Sequence, residues 1–141
     1  MTILTQACPL TVTSIEAAGD GSPGSAAAVD LPSQHTILLV RGPAPGPQAI
    51  KLPEGKVGDL VDVFFVSGSS TGVAPRLGIY DADNNTLAQT DNIGRLQIGE
   101  MITLRKILAE PYAAPGTDYS KLVGTWIGNT SGVMDNYPPS T

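Results

Sequence analysis

From Thr36 onward, apolar and polar positions come in short runs separated by turn residues, the pattern of strands set at the spacing of a sandwich or small barrel. The clearest runs are Thr36–Val40, Ala49–Leu52, Leu60–Val66, Arg76–Tyr80, Gly94–Ile98 and Met101–Ile107. Several have a period of two. Leu77 and Ile79 fall on one face against Arg76 and Tyr80, and Leu96 and Ile98 on one face against Arg95 and Gln97, as half-buried strands require. Gly124–Gly128 predicts a last strand, and no segment carries a helical period beyond one turn at Asp118–Val123.

The breaks between runs have their own chemistry. Gly42-Pro43-Ala44-Pro45-Gly46-Pro47 cannot enter a central ladder, because proline has no N–H to donate, and so predicts a stiff surface loop. Asp81–Asn85 supplies side chains that tolerate left-handed turns and predicts a hairpin between Tyr80 and Thr86–Ala88. Ser67–Gly72 predicts a loop at a strand tip, and Ala109–Tyr119 is too rich in proline and glycine for regular structure. Residues 1–34 read differently: Leu10–Thr13 is one short strand candidate, and Gly19–Ala28 is small residues without a hydrophobic period. The expected organisation is an all-β domain over 35–130, an extended N-terminal arm over 1–34 and an extended tail over 131–141.

Composition narrows the function. With 141 residues the chain has the length of one domain, and at 15% its charged fraction is well below the roughly 25% usual for soluble domains. Much of the surface must therefore be neutral. A net charge of -5, with Arg105-Lys106 as the one adjacent basic pair, argues against nucleic acid as a partner. Cys8 is the only cysteine, so no internal disulfide forms, and the first ten residues lack the charged and apolar regions of a signal peptide; a reducing cytoplasm is the expected site of synthesis.

Candidate chemistry is sparse. His35 is the single histidine, and no Gly-x-Ser-x-Gly motif offers it a nucleophile, so it reads as a strand-edge polar residue. Soft-ligand zinc binding fails on ligand count. Asp81-x-Asp83-x-Asn85 opens like a calcium loop, but Thr86 stands where glycine is needed and Asn92 where the bidentate glutamate belongs. Gly68–Gly72 has glycines without the Lys-Ser or Lys-Thr of a phosphate cradle, and the acid pairs Asp81/Asp83 and Asp59/Asp62 look like turn and strand-edge acids. No cofactor, metal or catalytic set is expected. Trp126 with Tyr112 and Tyr119 would make a sugar-stacking platform if exposed, or core and anchoring residues if not.

Residues 49–63 have a specific cadence: a strand ending in Leu52-Pro53-Glu54-Gly55, a turn ending in Gly58-Asp59, then an alternating strand. Together with Ile98–Ile107 and Trp126 it resembles a β module of tailed-bacteriophage virion proteins, particularly head decoration (cement) proteins and head or tail fibre modules. The likeness spans roughly residues 48–128; the proline-rich loop at 43–47 and the segment 109–119 depart from it. The resemblance implies a virion-surface protein, commonly a homotrimer, that clamps neighbouring major capsid protein subunits and stabilises the shell without enzymatic activity, nucleic acid or membrane. The expected contact residues are Leu10, Val12 and Ile15 of the arm, with Tyr112, Tyr119 and Trp126; deleting residues 1–30 is expected to weaken capsid binding and leave the β body folded. The alternative is a carbohydrate-binding fibre or receptor-binding module using the three aromatics, and a third reading is a hydrolase built around His35.

Overall fold

In a computed structural model of the chain, which describes residues 10–87, 95–107 and 126–131, nearly every regular element is a strand. A five-stranded sheet has the order β1 (Leu10–Glu16), β3 (His35–Gly42), β5 (Leu60–Gly68), β8 (Met101–Lys106) and β9 (Trp126–Ser131). A four-stranded sheet has the order β2 (Ala27–Ala28), β4 (Pro47–Lys51), β6 (Arg76–Tyr80) and β7 (Arg95–Leu96). The chain alternates between the two for three turns, β1 to β2, β3 to β4 and β5 to β6, and each strand lies parallel to its counterpart in the preceding turn. Parallel pairing needs a long connection, and the excursion through the other sheet supplies it. Direction then reverses: β7, β8 and β9 pair antiparallel with β6, β5 and β8.

The register in the larger sheet repeats. Leu10 faces His35 and His35 faces Leu60, so partners step by 25 residues, from 10 to 35 to 60. The inner rows are Thr11-Thr36-Val61, Thr13-Leu38-Val63 and Ile15-Val40-Phe65. They grow more apolar and more buried turn by turn: Thr11, Thr13 and Ile15 are half-buried, whereas the six side chains behind them are buried. Ile50, Leu77, Ile79 and Leu96 from the smaller sheet, Leu52 just past the end of β4, and Ile102, Leu104 and Trp126 from the larger join them in one core cluster. Each such side chain is worth about 1.5–3 kcal/mol in burial, which is what holds the two sheets together.

The stretch from Leu10 to Gln34, expected as an extended arm, is built into both sheets. Ala17 donates its N–H to the Arg41 carbonyl, Ala18 and Ala49 form an antiparallel bridge, and Val29, buried, donates to Lys51. The Tyr80 hydroxyl donates to the Gly21 carbonyl, tying the glycine-rich corner to β6. Its composition misleads because these residues form sheet-to-sheet corners, a 3-10 turn (Pro23–Ser25) and a two-residue strand, none of which leaves a hydrophobic period. Truncation of residues 1–30 would therefore strip β1 and β2 from the body.

Three further expectations change. Ile98 is exposed, because β7 ends at Leu96 and Gln97–Glu100 turns into β8 with Gly99 at φ +92 and its N–H on the Phe65 carbonyl. Tyr80 is buried rather than outward, carried by its bond to Gly21. Pro47 does enter a strand, but as its first residue, beside Arg76 and clear of two-residue β2. Asp81–Asn85 makes the expected turn, with Tyr80 bridged to Thr86. Ala88, Gly94, the segment 109–119, the turn at Asp118–Val123 and the tail from residue 132 lie outside the described residues, as do residues 1–9. No helix among the described residues is long and apolar enough to cross a membrane.

Candidate functional site

Strand alternation gives the five-stranded sheet a second face, turned away from the core. Reading across β1, β3, β5 and β8, its rows are Leu10-His35-Leu60-Arg105, Val12-Ile37-Asp62-Thr103 and Ser14-Leu39-Phe64-Met101. Leu10 and Val12 are 55% and 57% exposed, and Ile37, Leu39, Leu60, Phe64 and Met101 are half-buried. The smaller sheet packs on the opposite face, where the core cluster lies. Four strands about 4.8 Å apart and three rows about 6.8 Å apart make a patch of roughly 400 Å². Seven of its twelve positions are apolar, and surface patches of this order are commonly functional.

One polar cluster sits inside it. Asp62 Oδ2 is 2.8 Å from His35 Nε2, and Thr103 Oγ1 donates to Asp62 Oδ1 at 2.7 Å. With the carboxylate ionised, His35 Nε2 and Thr103 Oγ1 both donate to it. The rim is charged: Glu16 and Arg41 stand 3.6 Å apart, both well exposed, a pair worth about 0.2–1 kcal/mol at most. Arg105 is exposed at the opposite corner. The face is thus an apolar field with its single carboxylate already hydrogen-bonded, so a covering surface need not supply a partner for it.

The cluster is not arranged for catalysis by a histidine base. In such a triad the imidazole lies between hydroxyl and carboxylate; here the carboxylate lies between hydroxyl and imidazole. The nearby Ser33 hydroxyl donates to the His35 carbonyl at 2.9 Å and shares a hydrogen bond with the Thr11 hydroxyl at 2.8 Å, away from the ring. His35 itself, expected at a strand edge, opens β3, the second strand of the sheet.

Trp126 answers differently from a contact residue. It is 4% exposed, its indole Nε1 meets no hydrogen-bond acceptor among the described residues, and Lys106 Nζ lies 5.8 Å from its ring centroid. Gly55, at φ +73, passes so close that a Cβ there would stand 2.7 Å from Trp126 Cζ2. The tryptophan is a core residue under the 49–63 corner and offers no face to a sugar ring or a capsid. Ile15, also expected as a contact, points inward against the core cluster. Tyr112 and Tyr119 lie outside the described residues. Of the six expected contacts, the face gathers Leu10 and Val12.

The remaining motifs are structural. Asp81 Oδ1 accepts the N–H groups of Asp83 and Asn85 at 2.9 and 2.8 Å, and Oδ2 accepts Asn85 Nδ2 at 2.9 Å, so this carboxylate is committed to its own turn. No cluster of three metal-ligating residues occurs among the described residues. Asp59 Oδ2 accepts the Lys56 N–H at 2.8 Å, closing the Gly55–Asp59 turn, while Asp62 faces outward from β5. Arg105 and Lys106, adjacent in sequence, part to opposite faces of β8, so they form no basic patch.

Sequence reasoning missed Ile37, Leu39, Leu60 and Phe64 as surface residues. The signal was present: Ile37-Leu38-Leu39-Val40 and Val63-Phe64-Phe65-Val66 are apolar without alternation, which marks a strand apolar on both faces. Compared with protein-family models, with curated proteins and with solved structures, the chain matches none of them.

Proposed function

We propose that the chain is a non-enzymatic structural module, a two-sheet β-sandwich of the bacteriophage capsid-decoration kind, which binds the outer surface of a capsid and stabilises it by holding neighbouring major capsid protein subunits. The observation that carries this reading is the apolar outer face of the five-stranded sheet, Leu10 and Val12 continuing into Ile37, Leu39, Leu60 and Phe64. Its size bears on the kind of partner. At roughly 400 Å² the patch is half of the about 800 Å² per partner of a standard stable complex, so one contact alone is weak. On a shell, repeated contacts act together, because holding one site raises the effective concentration at the next.

Neutral composition supports the same reading: an apolar field with a rim of Glu16, Arg41 and Arg105 is suited to a protein surface rather than to phosphate or lipid headgroups. The test is co-sedimentation of the purified chain with expanded capsids lacking it, together with the heat resistance of those particles. Binding and added heat resistance are expected, both lost in Leu39→Asp with Phe64→Asp, whose side chains point away from the core. Wild-type protein that fails to sediment with such capsids would overturn the proposal.

A further inference from the structure

Among the described residues β1 is the outermost strand of its sheet, and of the devices that blunt an edge it carries only the charge of Glu16 at its last position. Leu10–Glu16 holds no proline and no lysine, and its register against β3 runs without a bulge. The inner row behind it, Thr11, Thr13 and Ile15, is only half-buried, whereas Thr36, Leu38 and Val40 one turn further in are buried. The first turn thus leaves the end of the core thinly covered, with β2 contributing two alanines opposite.

The direction of the free backbone groups follows from one bond. Ala17 donates its N–H to the Arg41 carbonyl at 2.8 Å, so it addresses β3. Backbone groups alternate along a strand, which turns Thr11, Thr13 and Ile15 toward β3 and Leu10, Val12, Ser14 and Glu16 toward the open edge.

We propose that this edge is the seam of a homodimer, in which β1 of a second copy pairs antiparallel with it about a twofold axis at Thr13. The strand is self-complementary in that register. Val12 meets Ser14 of the second copy and Leu10 meets its Glu16, each an edge-directed residue facing another, so each pair exchanges two backbone hydrogen bonds. Thr11 meets Ile15 on the inner face, and the two open core ends close on each other. Charge favours a second copy as occupant. Glu16 is the only charged residue of β1, and antiparallel pairing sets the two Glu16 side chains about 20 Å apart, at opposite ends of the seam. Parallel self-pairing would bring them together in a chain whose net charge is already -5. The seam also runs the outer apolar faces of both copies into one, roughly doubling the patch to the about 800 Å² that a stable contact uses. The association is pairwise, unlike the threefold one implied by the decoration-protein resemblance, and it does not depend on what the outer face docks on.

Sedimentation equilibrium of the full chain in the micromolar range tests it. The expected mass is twice 14.5 kDa. Ser14→Pro removes an edge-directed N–H that makes no bond to β3, and proline is tolerated at such positions; it is expected to give the single-chain mass with an unchanged circular dichroism spectrum. Thr13→Cys in a Cys8→Ser background places two thiols at a non-hydrogen-bonded pair, whose Cα atoms lie about 4.5 Å apart. It is expected to form a disulfide-linked dimer on mild oxidation. Wild-type protein at single-chain mass, Ser14→Pro retaining twice that mass, or a Thr13→Cys variant that forms no cross-link would each overturn the seam.

Discussion

Asp62 of β5 holds His35 of β3 at 2.8 Å although the two are not opposite one another: His35 faces Leu60, and Asp62 faces Ile37. The bond is a diagonal across a parallel pair, and Thr103, directly opposite Asp62 on β8, completes it at 2.7 Å. Three strands are thereby linked on the solvent side of the sheet. Asp62→Ala removes the shared acceptor and is expected to lower stability by about 1–2 kcal/mol, since both donors keep access to water. Urea denaturation should show a lower midpoint with an unchanged slope.

Leu38 and Ile37 are neighbours on β3 with opposite fates, one wholly buried and one half-buried on the outer face. Leu38→Ala is expected to cost about 2–5 kcal/mol through lost burial and a cavity. Ile37→Ala is expected to cost less than about 1.5 kcal/mol and to weaken capsid co-sedimentation instead. Equal losses of stability in the two variants would show that the outer face is covered by the chain itself.

Gly55→Ala tests the corner above Trp126. A Cβ at that position meets Cζ2 at 2.7 Å, and φ +73 is already unfavourable for alanine. The variant is expected to lose at least about 1 kcal/mol, and the fluorescence of the single tryptophan should shift to longer wavelength as the ring is pushed toward solvent. An unshifted spectrum at full stability would contradict the packing described.

Asp20 ties the first corner together. Hydrogen bonds from the Ser22 hydroxyl foremost, then from the Ser22 N–H and the Ser25 hydroxyl, lower its carboxyl to about 2 from an ordinary 3.8. A depressed carboxylate contributes above its unfolded value, so this support is complete above about pH 4 and is lost as pH falls through about 2. Carboxyl carbon shifts followed by NMR should give a midpoint near 2 for Asp20, moving toward 3.8 in Ser22→Ala.

The sequence was most legible where one face is apolar and the other polar. Arg76–Tyr80 is a strand as expected and the run Met101–Ile107 is one over Met101–Lys106, with Leu77, Ile79, Ile102 and Leu104 buried, although Tyr80 on the other face is buried too. The path of the chain was not legible. Successive turns share only the phase of their apolar positions, Thr11 over Thr36 over Val61, and little residue identity, so a 25-residue step leaves no repeat to find by eye. The outer face was hidden for a related reason: a run such as Ile37–Val40 looks the same whether its second face is covered by its own chain or by another. Glycines and alanines in 17–34 resembled a linker because corners, like linkers, favour small residues.

The constant step between turns also bears on how the protein folds. β1 on β3 and β3 on β5 close loops of equal length, so chain entropy gives neither pairing a head start. Side-chain chemistry must break the tie, and it favours β3 with β5, where Leu38, Val40, Val63 and Phe65 exclude water together. The threonine-lined first turn then condenses onto a nucleus already formed, so substitutions there should change the unfolding rate more than the folding rate.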